Sequence, residues 1–178
     1  FVEKVAAVKN SRNRPKGTLE TKNIASVNAE EYKKMMIKKV LPAIQEKWPQ
    51  NYRAKGIIVQ EGNARPHSEG ARKAIGDAAK AEGWNIVLQP QPPNSPDLNV
   101  LDLGFFNSIQ NLQHQKLART TDELISAVAE AFCESPPTTL NNVFLTLQGV
   151  MQESLGVKGE NTYKLPHMGK DKLANKGE

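Results

Sequence analysis

Apolar positions recur along this chain with two distinct periods, and the alternation between them predicts its elements. Phe1 to Val8 alternates loosely and reads as the end of a strand. Lys9 to Lys22 is polar and basic around Pro15 and Gly17, which predicts a loop with a short strand near Thr18 to Thr21. Asn28 followed by Glu31 has the form of a helix cap with a reciprocal acid. Behind it Tyr32, Met36, Val40 and Ile44 recur every four residues, with Ile37 and Leu41 alongside, as one face of a helix requires. Pro42 lies inside that run and is expected to bend or split it.

Gly56 to Gln60 is short, apolar and rich in β-branched residues, the pattern of a buried strand. Pro66 suits the first turn of a following helix, whose thin stripe is Ala71, Ile75 and Ala78 and whose end falls at Gly83. Trp84 to Leu88 reads as the next strand. Strand, helix and strand in this order predict a βαβ crossover and a parallel pair. Gln89 to Asn99 carries four prolines and is a stiff loop. A helix is expected from about Leu98 to Gln115. Thr120 with Glu123 forms a capping box ahead of an apolar face of Leu124, Ile125, Val128 and Phe132. After Pro136-Pro137, the positions Leu140, Val143, Phe144, Leu147, Val150 and Met151 form the cleanest helical stripe of the chain. From Gly156 the sequence is basic and polar, with Lys158, Lys164, Lys170, Lys172 and Lys176, and is expected to be loosely held.

Composition narrows the classes. At 178 residues, 38% hydrophobic and 24% charged, the chain is long enough for a domain with a sizeable core. No apolar run approaches the roughly 20 residues that span a bilayer, so no membrane partner is expected, and no charged-then-apolar leader predicts secretion. The chain opens at Phe1 inside a strand pattern, which suggests a piece of a longer protein. The lone Cys133 excludes an internal disulfide and any cysteine-based zinc cluster; beside Phe132 it reads as a buried structural thiol. A net charge of +5 and a pI of about 9.3 favour an anionic partner, or else mark ordinary surface charge.

Two segments carry candidate chemistry. Gln60-Glu61-Gly62-Asn63-Ala64-Arg65-Pro66-His67 ends the first buried strand; Pro92-Pro93-Asn94-Ser95-Pro96-Asp97-Leu98-Asn99-Val100-Leu101-Asp102-Leu103-Gly104-Phe105-Phe106 follows the second. The pair resembles the second and third motifs of mariner-like DNA transposases, and the wording around Asp102 resembles the plant-type branch. Gly17 to Lys22, Lys39 to Ile44 and Tyr163 to Met168 resemble that branch as well, so the likeness covers nearly the whole chain. It implies an α/β fold: a ribonuclease H-like mixed sheet with flanking helices, incomplete at the N-terminal strands, with C-terminal helices. It further implies a partial catalytic domain over residues 1–155 and a basic C-terminal tail over 156–178.

The family's activity is metal-dependent DNA cleavage and strand transfer in the nucleus. Three acids hold two Mg²⁺ ions, one activating water or a DNA 3′-hydroxyl and the other stabilising the leaving oxygen. The resemblance places Asp102 as the third acid. The second acid would precede the Asn of Asn-Ala-Arg-Pro-His, and there this chain has Gly62, with 39 residues between it and Asp102, the interval of the plant-type branch. The first acid would lie upstream of Phe1. Glu61 is the neighbouring carboxylate and the alternative metal ligand, but strand alternation turns it to the opposite face.

Each candidate has a plainer reading. Asp102 suits the first turn of any helix through the dipole. His67 is more often a surface or capping residue than a ligand, and Arg65 either contacts a phosphate or braces its loop. Asn63, Arg65 and His67, with Arg12, Arg14 and Lys16 of the basic loop, are the candidate nucleic-acid contacts. The expected reading is a decayed, inactive catalytic domain with DNA as partner. The alternatives are a DNA-holding remnant without chemistry, or a module pairing with transposase subunits through the Leu140 to Met151 helix. A doubly wound nucleotide-binding fold shares the βαβ pattern, but the turn after Gln60 lacks a Gly-rich phosphate loop.

Overall fold

The computed structural model describes residues 1–53, 55–160, 162–165 and 169. They form two compact units, Phe1–Pro93 and Asn94–Glu178. In the first, β1 (Val2–Ala6) and β2 (Leu19–Asn23) pair antiparallel, from Val2↔Asn23 to Ala6↔Leu19. The basic loop between them is closed by a bridge between Ser11 and Arg14, by the Arg14–Glu20 ion pair, and by the Gly17 amide, which donates to the Ala7 carbonyl at 2.8 Å.

Asn28 caps α1 (Ala29–Met35), its side-chain oxygen accepting from the Glu31 amide at 3.0 Å. Pro42 neither ends nor splits the helical run. The turn before it, Met36–Val40, is a π turn in which the Leu41 amide reaches the Met36 carbonyl, and α2 (Leu41–Lys47) continues with Pro42 in its first turn. An α-helical ladder would drive the proline ring into the carbonyl four residues back; the wider turn relieves that clash.

β3 (Ile57–Glu61) and β4 (Ile86–Pro90) pair in parallel, Ile57↔Ile86 through Glu61↔Pro90, around α3 (Glu69–Ala81), as the βαβ pattern predicts. Pro66 does not start α3. Ser68 does, its hydroxyl accepting from the Ala71 amide at 3.2 Å, because a side-chain acceptor satisfies an orphan amide that proline merely lacks. Gly83 ends the turn at φ +77°, and a Cβ there would come within 2.7 Å of Arg53 Nη2. Arg53 donates from Nε to the Gly83 carbonyl at 3.0 Å and stands 5.4 Å from the Trp84 ring centre. The core of this unit is Tyr32, Met36 and Leu41 from the helical run, Ala71, Ile75 and Ala79 from α3, and Ile57, Trp84, Ile86 and Leu88 from the strands and the turn before β4.

In the second unit, Pro96–Leu98 is a single 3₁₀ turn. The helix expected from Leu98 begins at Leu101 instead, because Asn99 is extended and its side-chain oxygen accepts from the Leu101 amide at 3.1 Å. A π turn, Leu101–Phe105, leads into α4 (Phe106–His114). Gly104 leaves room for Val143, whose Cγ2 lies 3.4 Å from where a Cβ would stand. α5 (Thr121–Glu134) opens on the expected capping box, with both Thr120 and Glu123 side chains bonded to each other's backbone amides.

The expected apolar face of α5 is turned outward. Ala127 and Ala131 are buried, while Leu124, Ile125, Val128 and Phe132 are exposed, Phe132 to 61%. Cys133 is likewise exposed rather than a buried thiol. The small side chains sit on the inward stripe, and the large ones flank it half-exposed, Phe132 standing edge-on to Phe105 with ring centres 6.1 Å apart. α6 (Pro137–Gly156) starts at Pro137 and buries Val143, Gly149 and Val150, leaving Leu140, Phe144 and Met151 exposed. Pro166, His167, Met168 and the tail lysines Lys170, Lys172 and Lys176 lie outside the described residues. No described helix is long and apolar enough to cross a membrane.

Candidate metal and nucleic-acid site

The loop that follows β3 is built by the end of that strand. Residues 57, 59 and 61 share a face by strand alternation, and the burial follows it: Ile57 and Glu61 are buried, Val59 is half-buried, and Ile58 and Gln60 are exposed. Glu61 therefore points to the helix-covered side. Its Oε2 accepts from the Tyr32 hydroxyl at 2.6 Å and its Oε1 from Arg72 Nε. Burial, reinforced by the hydrogen bond to the Glu61 carboxylate, holds the Tyr32 phenol well above its ordinary value, so it remains a donor.

Beyond Glu61 the chain leaves the sheet. Gly62 is half-buried, and a Cβ at this position would meet nothing within 4 Å. The Asn63 side chain donates to the Gln91 carbonyl at 3.1 Å, and the Gln91 amide donates to the Glu61 carbonyl at 2.9 Å, which ties the two strand ends together. His67 Nδ1 lies against the Gly62 carbonyl, an approach that requires the proton on Nδ1. Its ring stacks at a tilt on Tyr32, with centroids 4.3 Å apart. Arg65 is exposed at the turn. Asn63 and His67 thus brace the loop on which Arg65 is displayed.

In the second unit Asp102 is exposed in the first turn after Asn99, and its Oδ2 accepts from Asn99 Nδ2 at 2.8 Å. Asn99 therefore starts the helix with one end of its amide and holds Asp102 with the other. Earlier in the same loop Asp97 accepts from the Tyr163 hydroxyl, and that bond, with burial second, pushes Tyr163 up to about 12. In the basic loop of the first unit, Arg12 and Lys16 are exposed. Arg14 is engaged with Glu20, whose carboxyl it holds below the usual range.

These residues do not fit a two-metal centre. Gly62 offers no ligand. Both oxygens of Glu61 are taken, and a cation there would stand beside the Arg72 guanidinium. Asp102 is an exposed carboxylate, and among the described residues no group of three or more His, Cys, Asp or Glu is placed to hold a metal ion. Mg²⁺ needs several hard oxygen ligands in near-octahedral array, and one carboxylate does not fix it. Sequence reasoning missed Arg72, Tyr32, Gln91 and the Tyr163–Asp97 contact. An arginine one turn into the helix after a strand ending in an acid was the available signal for Arg72; Tyr32 is hidden on an ordinary apolar stripe.

No protein-family model matches the chain, and no curated protein does. Solved structures do. The catalytic domain of Mos1 mariner transposase aligns with a TM-score of 0.62 and 20% identity, covering 82% of this chain and 70% of that one. The same domain with raltegravir and Mn aligns at 0.61 and 18%, covering 92% and 82%. The Mos1 mariner paired-end complex with Mn aligns at 0.61 and 20%; there the chain covers only 41% of the other. The chain has the ribonuclease H-like fold of a mariner transposase catalytic domain.

Proposed function

We propose that the chain is a degenerate mariner-like transposase catalytic domain of the plant-type branch, nuclear, which engages DNA without cutting it. The observation that carries this reading is Gly62: in a chain with this fold, a hydrogen stands at the motif position of an acid. Two-metal phosphoryl chemistry needs convergent carboxylates to hold both ions against the phosphate charge, and misplacement by about 1 Å already costs on the order of a hundredfold in rate. Asp102 remains as the third acid. DNA contact would run through Arg65 and the exposed Arg12 and Lys16. Such contact neutralises phosphates and reads no bases, so it is indifferent to sequence and steeply weakened by salt.

The test is nicking of supercoiled plasmid by the purified chain and by Asp102→Asn, in Mg²⁺ and in Mn²⁺. Neither should nick, and Gly62→Asp alone should restore nothing, because a further acid is still required. Metal-dependent nicking that disappears in Asp102→Asn overturns the reading. Titrations on matched and scrambled terminal repeats should superimpose; a clear preference for one repeat would show retained specificity. A second reading, pairing with transposase subunits through the Leu140 to Met151 helix, is favoured by the exposed Leu140, Phe144 and Met151 of α6.

A further inference from the structure

Glu61 is the one buried charged side chain among the described residues, with its side chain 4% exposed. A carboxylate taken out of water is costly unless it is paired and fully hydrogen-bonded. Here its partners do more than neutralise it. Arg72, which donates from Nε to Glu61, also donates from Nη2 to the His67 carbonyl at 2.7 Å. Tyr32, which donates to the other oxygen, supports the His67 ring, and His67 in turn holds the Gly62 carbonyl. The circuit leaves Glu61 through Arg72 and Tyr32 and returns to the residue beside it. It grips the loop at both ends, Gly62 and His67.

We propose that Glu61 is a positioning residue that fixes the conformation of the Gly62–His67 loop through Arg72, Tyr32 and His67, and that it does not serve as a substitute ligand for a divalent cation. Three features support this. Strand alternation sends the carboxylate to the helix-covered face, whereas a Cβ at 62 would meet nothing within 4 Å. Both oxygens already accept hydrogen bonds. The nearest charge is a guanidinium, which repels a cation at the point where one would bind.

The experiment uses the whole chain and Glu61→Gln, which keeps the size and removes the charge. Amide hydrogen exchange across residues 62–68 should accelerate by about tenfold or more, since the opening of the loop loses its charged anchor. Exchange in α5 should not change, which separates a local grip from general loss of stability. Mn²⁺ affinity, read by paramagnetic resonance with the metal alone as probe, should match the wild type. A fall in Mn²⁺ affinity, or unchanged exchange across the loop, overturns the proposal. Should Glu61→Gln fail to fold, Tyr32→Phe removes a single hydrogen bond, and it must show the same local acceleration at smaller size for the proposal to stand.

Discussion

In residues 1–93 the buried positions are held mostly by large side chains, Tyr32, Met36, Leu41, Ile57, Ile75, Trp84, Ile86 and Leu88. Among the described residues of 94–178 they are held by Ser95, Ile109, Ala127, Ala131, Val143, Gly149 and Val150, while Leu124, Phe132, Leu140, Phe144 and Met151 are exposed. The first unit stabilises itself by volume, wrapping helices on a parallel pair of strands. The second is made of helices whose buried positions mix Ala127, Ala131 and Gly149 with Ile109, Val143 and Val150, while several of its large apolar side chains stay exposed. Helical periodicity is equally clear in both units, yet periodicity does not say which stripe turns inward.

The largest effect separating the two should come from Ile75→Ala. Ile75 is fully buried, so the lost transfer energy and the cavity together should cost about 2–5 kcal/mol in urea unfolding of the first unit. A cost under about 1 kcal/mol would mean that the core is loose. Next, Ala131→Leu enlarges a side chain with no exposed surface; overpacking should destabilise the second unit by about 1–3 kcal/mol. A neutral result would show that its helices do not meet closely at that point. Thr120→Ala removes half of the capping box and should cost about 1 kcal/mol of helix stability, seen by calorimetry. Phe132→Ala, at an exposed position, should stay within roughly 0.5 kcal/mol in dilute solution, and a loss comparable to that at Ile75 would erase the contrast.

A further effect is one of pH. Tyr163 is raised from 10.0 to about 12 by Asp97. Between those values the unfolded phenol has lost its proton and the folded one keeps it, so stability falls as pH rises. The contribution is complete below about 10 and gone once pH passes about 12. Tyrosinate absorbance, with Tyr163→Phe subtracted, should show the late step; titration at the ordinary phenol value would remove the Asp97 contact.

What the sequence made legible follows from local rules. The Asn28 and Thr120 caps, the Gly83 stop and the β3–α3–β4 order each depend on neighbours a few residues away. Pro42 was legible as a disturbance, but the π turn that absorbs it was not, because the register of a helix is chosen by what it packs against. At the candidate site, the direction of Glu61 was legible from strand alternation. Its partners were not: Tyr32 lies 29 positions away in the chain, and only the packing of α1 on α3 brings the helical run and the strand end together. The outward stripe of α5 was missed for the same reason, since an apolar face states a demand for burial and leaves open which surface meets it.

Gly62 occupies open space, and its backbone lies outside the left-handed region. The first carbon of a side chain can stand there without displacing a neighbour. In genetic terms, glycine and aspartate codons lie a single base change apart. A lineage can therefore exchange a carboxylate for a hydrogen at this point, and reverse the exchange, in single steps that need no compensating change elsewhere. Quality control that monitors folding is blind to such a step. Beside it, Glu61 is fastened to two other side chains, Tyr32 and Arg72, and its exchange would be noticed at once.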